Sequence, residues 1–213
     1  GFTEVTITPK IEGVVTKLLH DVGDVVRPGE PLLEIEETYY KLAINEAHRA
    51  LELELAKIGL KDLPVGELDL DKIPAITKAK KEVAVATLRA TRAKDLQPMV
   101  AISQEEFDKA MNDYQVSMAT RDHVILEAKS TLAAARQKQA ILDTAKQKFE
   151  ETKVRAPIPS PEKVQAVING LPPSFKIGSI QDKIEYVVAQ RLVAEGEMVR
   201  AFPSVAVFRL VID

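Results

Sequence analysis

The 213-residue chain contains no cysteine, which removes disulfides, thiol nucleophiles and cysteine-rich zinc sites from consideration. It has no tryptophan and only ten Phe and Tyr together, sparse for a globular enzyme of this length and more usual where long helices pack through Ala and Leu. No apolar run approaches the roughly 18 residues of a membrane span, and the N-terminal GFTEVTITPK has neither the basic head nor the apolar centre of a signal peptide. Any targeting segment is therefore expected outside these residues. Charge of neither sign prevails: 29 Lys and Arg face 32 Asp and Glu, and no basic stripe is present to track phosphates, so nucleic acid is not an expected partner. What the chain does have is 46% apolar residues, enough for a buried core, and this excludes disorder.

These residues follow three different periods along the chain. Residues 4 to 36 read as short strands, EVTIT, GVVTKLLH and PLLEIE, separated by turns at Val22-Gly23-Asp24 and Arg27-Pro28-Gly29-Glu30. Residues 37 to 153 hold 19 acidic and 19 basic residues, mixed along the sequence, and almost no strand signal. Within them, Gln104 to Thr152 contains no Gly or Pro. It carries Phe107, Tyr114, Ala128, Ala135, Leu142 and Phe149 at multiples of seven, interrupted by Arg121, with Met111, Met118, Ile125 and Leu132 as a second row. This heptad predicts a coiled-coil helix of about 49 residues, roughly 70 Å at about 1.5 Å per residue. Upstream, Ile76, Ala79, Val83, Ala86, Ala90 and Ala93, and before them Ile44, Ala47, Leu51 and Ile58, alternate steps of three and four.

Pro98 disfavours helical angles at Gln97, so the ascending helix should end near Leu96. Ser103-Gln104-Glu105-Glu106 is a capping box, with Ile102 and Phe107 placed as its hydrophobic staple, so a new helix should start at Ser103. A short connection between opposed heptad helices predicts an antiparallel hairpin with its tip at 96–103. Pro64, Gly66 and Pro74 interrupt the ascending arm, and 59–74 reads as an insertion bulging from it. After Lys153, five of the twelve prolines fall between Pro157 and Pro173; 158–185 shows no period and reads as an irregular insertion. Strands return over 186–212.

The two strand regions are related. At an offset of 173, VVTKLLHDVGDVVR aligns with VVAQRLVAEGEMVR, matching Val14, Val15, Leu19, Gly23, Val26 and Arg27 with Val187, Val188, Leu192, Gly196, Val199 and Arg200. Beyond that point the second copy is two residues longer. Each copy has about 30 residues and is too small to close its own core, so the two are expected to form halves of one β-sandwich.

Two quasi-symmetric halves with this G-D/E-x-V-R signature resemble the biotinyl/lipoyl domain. Split by a long antiparallel hairpin, and with EETKVRAP before the second half, the chain is similar to the periplasmic adaptor, or membrane fusion, family, HlyD-like and closest to adaptors of resistance-nodulation-division (RND) efflux pumps. Arg92, Leu96 and Ser103 match the R-x3-L-x6-S pattern by which such adaptors dock TolC-like outer-membrane channels. The resemblance implies an α+β chain divided as 1–36, the first half of a lipoyl-like domain; 37–153, the hairpin; and 154–213, the second half. It implies a periplasmic adaptor subunit of a tripartite efflux pump, or alternatively of an ABC-type (type I) exporter. Its partners would be an inner-membrane transporter, a TolC-like channel and other copies of itself. Inner-membrane association would run through segments absent from this chain, as would the β-barrel and membrane-proximal domains. A non-transport coiled-coil scaffold is the further alternative, but it leaves the split repeat unexplained.

No enzyme activity and no cofactor are expected. The chain has no nucleophile elbow, P-loop or GxGxxG. A carrier role needs a lysine at the tight turn joining the lipoyl halves; here the hairpin replaces that turn, and Lys41 lies in a helix start. No metal site is expected either. His20, His48 and His123 lie in separate predicted elements, each read as lacking a second ligand at metal-site spacing, and Met111 and Met118 belong to the heptad core.

Overall fold

Mixed strands and helices make up the chain, and the computed structural model describes residues 3–170, 173 and 184–212. It divides into two compact units, Gly1–Ala43 with Thr144–Asp213, and Ile44–Asp143. Both divisions fall inside helices, α1 (Thr38–Lys57) and α3 (Gln104–Glu150).

In the first unit, β-branched runs broken by glycine turns give β1 (Glu4–Ile7), β2 (Gly13–Leu18), β3 (Val25–Val26), β4 (Pro31–Ile35), β5 (Lys153–Arg155), β6 (Tyr186–Arg191), β7 (Met198–Val199) and β8 (Phe208–Ile212). They form two four-stranded sheets, β1-β8-β6-β3 and β5-β4-β2-β7. The sequence repeat is also a repeat of hydrogen bonding. Val15 pairs with Ile35 and Val188 with Leu210, and each ladder slips by one residue at the next position, between Val15 and Lys17 and between Val188 and Gln190. The pairing keeps the 173 offset for β2 and β6 and shifts to 175 for β4 and β8, which places the two extra residues in the turn between β7 and β8.

Each copy also completes the other. The Gly23 amide donates to the Val188 carbonyl at 2.9 Å and the Gly196 amide to the Val15 carbonyl at 2.8 Å. In return, Val188 N–H donates to Asp24 O and Val15 N–H to Glu197 O, both at 2.9 Å. Gly23 and Gly196 adopt φ of 92° and 88°, which a side chain resists. Val15, Val26, Leu33 and Ile35 from one copy and Val188, Val199, Phe208 and Leu210 from the other are buried in a single cluster. At about 1.5–3 kcal/mol for each large side chain fully buried, neither half retains its core alone. The copies differ at Gly13, aligned with Tyr186: a Cβ at Gly13 would stand 2.4 Å from Ile35 Cγ2, whereas the buried Tyr186 donates its hydroxyl to Pro157 O at 2.9 Å.

The structure departs from the sequence reading over 158–185. Residues Pro161–Asn169 form helix α4, with Pro at its first position and the Ser160 hydroxyl accepting from Lys163 N–H at 3.4 Å. Of the five prolines in that passage, Pro157 and Pro159 precede the helix, Pro161 opens it, and Pro172 and Pro173 follow it in sequence. Residues 171–172 and 174–183 of that stretch lie outside the described residues.

In the second unit, α1 ends where Leu60 N–H reaches back to Leu55 O at 3.0 Å and Gly59 N–H to Ala56 O at 3.1 Å, with Gly59 at φ 71°. The following segment does not simply bulge outward. A 3-10 turn over Leu70–Lys72 returns it to α2 (Pro74–Leu96), and Leu60, Leu63, Leu68 and Leu70 pack against Ile58, Ile73, Ile76, Ala128 and Leu132. The start of α2 thus meets the middle of α3, while Gln97, just past its end, donates from Nε2 to Gln104 Oε1 at 3.2 Å at the start of α3. The two helices therefore run in opposite directions. Along α3 the predicted rows are buried at Ala128, Leu132, Ala135 and Leu142, and half-buried at Phe107, Met111, Tyr114 and Met118 nearer its start. Among the described residues no helix is long and apolar enough to cross a membrane.

Candidate functional site at the α2–α3 connection

The connection is closed from both sides. Ser103 N–H donates to Glu106 Oε2 at 2.8 Å, and Glu106 N–H donates to Ser103 Oγ at 3.1 Å, which is the reciprocal capping box. The Ser103 hydroxyl also lies 3.2 Å from Glu106 Oε2, so it is engaged by the cap on both sides. Its contribution to the apex is to fix the first turn of α3.

On the other side Pro98, which has no N–H, ends the α-helical pattern. Gln97 nevertheless keeps helical angles, φ −59° and ψ −46°, contrary to the expected pre-proline bias. The chain continues as a 3-10 turn over Gln97–Met99, where proline is tolerated because the first N–H groups of a turn need no partner. Reversal comes at Val100, φ 53° and ψ 30°, with Val100 N–H donating to Gln97 O at 3.0 Å and Ala101 N–H to Leu96 O at 3.2 Å. This is the closure that ends α1, but with valine in place of glycine. A left-handed conformation costs an L-residue about 1–2 kcal/mol, and β-branching adds to the crowding.

The side chains around this turn face outward. Arg92 and Leu96, one helical turn apart on α2, are both exposed, Leu96 by 39%; Met99 and Val100 are exposed by 76% and 88%. The Arg92 side chain has no hydrogen bond or ion pair among the described residues. Two of the three sequence-predicted residues thus offer free side chains, and the third shapes the backbone between them. Met99 and Val100 were missed, because nothing in the sequence signals a left-handed valine.

Elsewhere the geometry offers less. A groove of about 760 Å³ along α2 is lined mostly by exposed residues, among them Lys78, Lys81, Val85, Arg89 and Asp113, with buried Ala86 and half-buried Thr77 at its base. Lys41 Nζ is held by Glu37 Oε1 at 2.5 Å and lies 5.8 Å from the centre of the Phe149 ring. Each histidine meets a carboxylate four residues on, which corrects the sequence reading: His20–Asp24 at 3.3 Å, His48–Glu52 at 3.2 Å and His123–Glu127 at 3.3 Å. These are single pairs, and no group of three or more His, Asp or Glu positioned to hold a metal occurs among the described residues. The Asp24 carboxyl is held below the usual range, chiefly by Asp21 N–H at 2.8 Å; loss of solvation opposes this, and His20 lowers it further.

No protein-family model and no curated protein matches this chain. Solved structures similar to it include adaptor and membrane fusion proteins. MacA from Actinobacillus actinomycetemcomitans is 18% identical with a TM-score of 0.49, over 98% of this chain and 52% of its own length. The periplasmic adaptor protein EmrA is 16% identical with a TM-score of 0.45, over 98% and 72%. The membrane fusion protein Spr0693 from Streptococcus pneumoniae is 13% identical with a TM-score of 0.35, over 99% and 63%. The chain spans 40% of a further similar structure, from Bacteroides eggerthii. At these identities and TM-scores the likeness carries no functional argument by itself.

Proposed function

We propose that this chain is the lipoyl-like sandwich and helical hairpin of a periplasmic adaptor of the RND efflux type, and that it carries out no chemistry of its own. In this reading, the two four-stranded sheets are one biotinyl/lipoyl-like β-sandwich, split after residue 36 and resumed at 154. The hairpin over 37–153 carries the docking tip at 96–103 to a TolC-like outer-membrane channel. An inner-membrane transporter and further copies of the subunit complete the assembly. The observation that carries the proposal is the apex: Arg92 unpaired and Leu96, Met99 and Val100 exposed at a connection fixed by hydrogen bonds on both sides.

The test is export by the full-length protein carrying Arg92→Asp or Leu96→Ser, run beside thermal melts and abundance measurements. Exposed substitutions of this kind rarely cost more than about 0.5 kcal/mol, so folding should be nearly unchanged while export is lost. Full export in both variants at normal abundance would mean that the motif match is coincidental and the helices are only a scaffold.

A further inference from the structure

We infer that Asn169 is a site of spontaneous covalent modification: at the end of α4 the Gly170 backbone nitrogen closes on the Asn169 side chain and, with water and no enzyme, converts it to isoaspartate and aspartate. The inference does not rest on the apex reading.

The chain has three asparagines, Asn45, Asn112 and Asn169, and all three are exposed, so access of water does not distinguish them. Their backbones do. Attack requires the nitrogen of the following residue to lose its proton and turn toward the side chain. Asn45 lies in the interior of α1 and Asn112 in the interior of α3, where that nitrogen is fixed in the helical ladder. Each is also followed by an acidic residue, Glu46 or Asp113, whose charge opposes loss of the proton. Asn169 is the last residue of α4, a helix of 9 residues, and Gly170 follows it in a turn. The end of a helix opens at little cost in free energy, and glycine has no Cβ to obstruct the approach of its nitrogen.

The electrophile is prepared as well. Gln165 Nε2 donates to Asn169 Oδ1 at 3.0 Å, which draws electron density away from the Cγ that is attacked. A bond forms between Cγ and the Gly170 nitrogen as the bond from Cγ to Nδ2 breaks, and the amide proton given up by Gly170 leaves with Nδ2 as ammonia. Water then opens the cyclic imide. Opening at Cγ gives aspartate; opening at the main-chain carbonyl gives isoaspartate, with the backbone rerouted through Cβ and lengthened by a methylene. Both products place a carboxylate at the C-terminal end of α4, where the free carbonyls already carry partial negative charge, so the last turn of the helix is weakened.

The experiment incubates the whole chain at neutral and mildly alkaline pH, both folded and in urea. Conversion at each asparagine is followed by peptide mapping, and isoaspartate is scored by methyl transfer from S-adenosylmethionine with an isoaspartyl methyltransferase. In the folded chain Asn169 should convert within about tenfold of its rate in urea, and faster at the higher pH, whereas folding should slow Asn45 and Asn112 by more than that. Asn169→Gln should remove the acidic product, and Gly170→Val, which puts a branched side chain beside the attacking nitrogen, should slow its formation at least about tenfold in both states. Converted chain should exchange the last amides of α4 faster than the parent. Conversion at Asn169 suppressed by folding as strongly as at Asn45 and Asn112, or an undiminished rate in Gly170→Val, overturns the inference; unchanged exchange in the converted chain overturns its stated effect on α4.

Discussion

Leu132→Ala tests whether the heptad rows of α3 are a core. Leu132 is 5% exposed and packs among Ile58, Ile73, Ile76 and Ala128, residues brought together by the end of α1, the start of α2 and the middle of α3. The substitution removes three carbons, worth about 2.4 kcal/mol at roughly 0.8 kcal/mol per methylene, and the cavity left behind raises the loss to about 3 kcal/mol. For a unit of about 100 residues, each kcal/mol moves the thermal midpoint by roughly 4–8 °C, so a fall of about 12–24 °C is expected in the helical transition. The control is Leu126→Ala, in the same helix but 65% exposed, which should stay within about 0.5 kcal/mol of the parent. Calorimetry with circular dichroism reads both. Equal losses at 126 and 132, or no loss at 132, would refute the burial argument for the whole helix pair.

The other expectations concern turns, caps and charge. Gly23→Ala and Gly196→Ala force a side chain into positive φ with no neighbouring atom within 4 Å, so each should cost about 1 kcal/mol by denaturant unfolding; a cost at only one of them would break the equivalence of the two copies. Ser103→Ala removes the cap of α3 and should cost about 1 kcal/mol, with faster hydrogen exchange at the Glu106 amide and little change beyond the first turns. Asp24 should titrate below the ordinary carboxylate value when followed by carboxyl carbon NMR. Because its folded pKa is lowered, its contribution to stability is present above the unfolded value and is lost as pH falls through the folded one; a midpoint at or above the ordinary value would contradict the Asp21 and His20 contacts.

The β unit was legible because both of its copies repeat the same chemistry: a valine pair, a turn glycine and a second valine recur at one offset, and buried valines cannot change face without changing register. The ends of α2 and α3 were legible for local reasons, a proline without an N–H and a serine and glutamate three residues apart. Gln97 shows the limit of such rules, since the steric bias before proline was overridden by a 3-10 turn. β5 escaped notice because three residues, Lys153–Arg155, carry no period, and α4 because its flanking prolines masked a cap. The histidine–carboxylate pairs were readable from the i,i+4 spacing and were overlooked. At the apex, Arg92, Leu96 and Ser103 were singled out by their match to the pattern of the family the chain resembles, whereas Met99 and Val100 depend on a backbone angle and an exposure that only the fold determines.

The claim that the α2–α3 apex meets a channel can be tested at a single atom. Since this chain has no cysteine, Leu96→Cys would give it a single thiol, and Leu126→Cys would provide a comparison on the exposed face of α3. A short thiol-to-amine cross-linker applied to the assembled pump in cells should join position 96 to the outer-membrane channel and leave position 126 unjoined to it. Cross-linking from 126 but not from 96, or equal yields from both, would contradict the account.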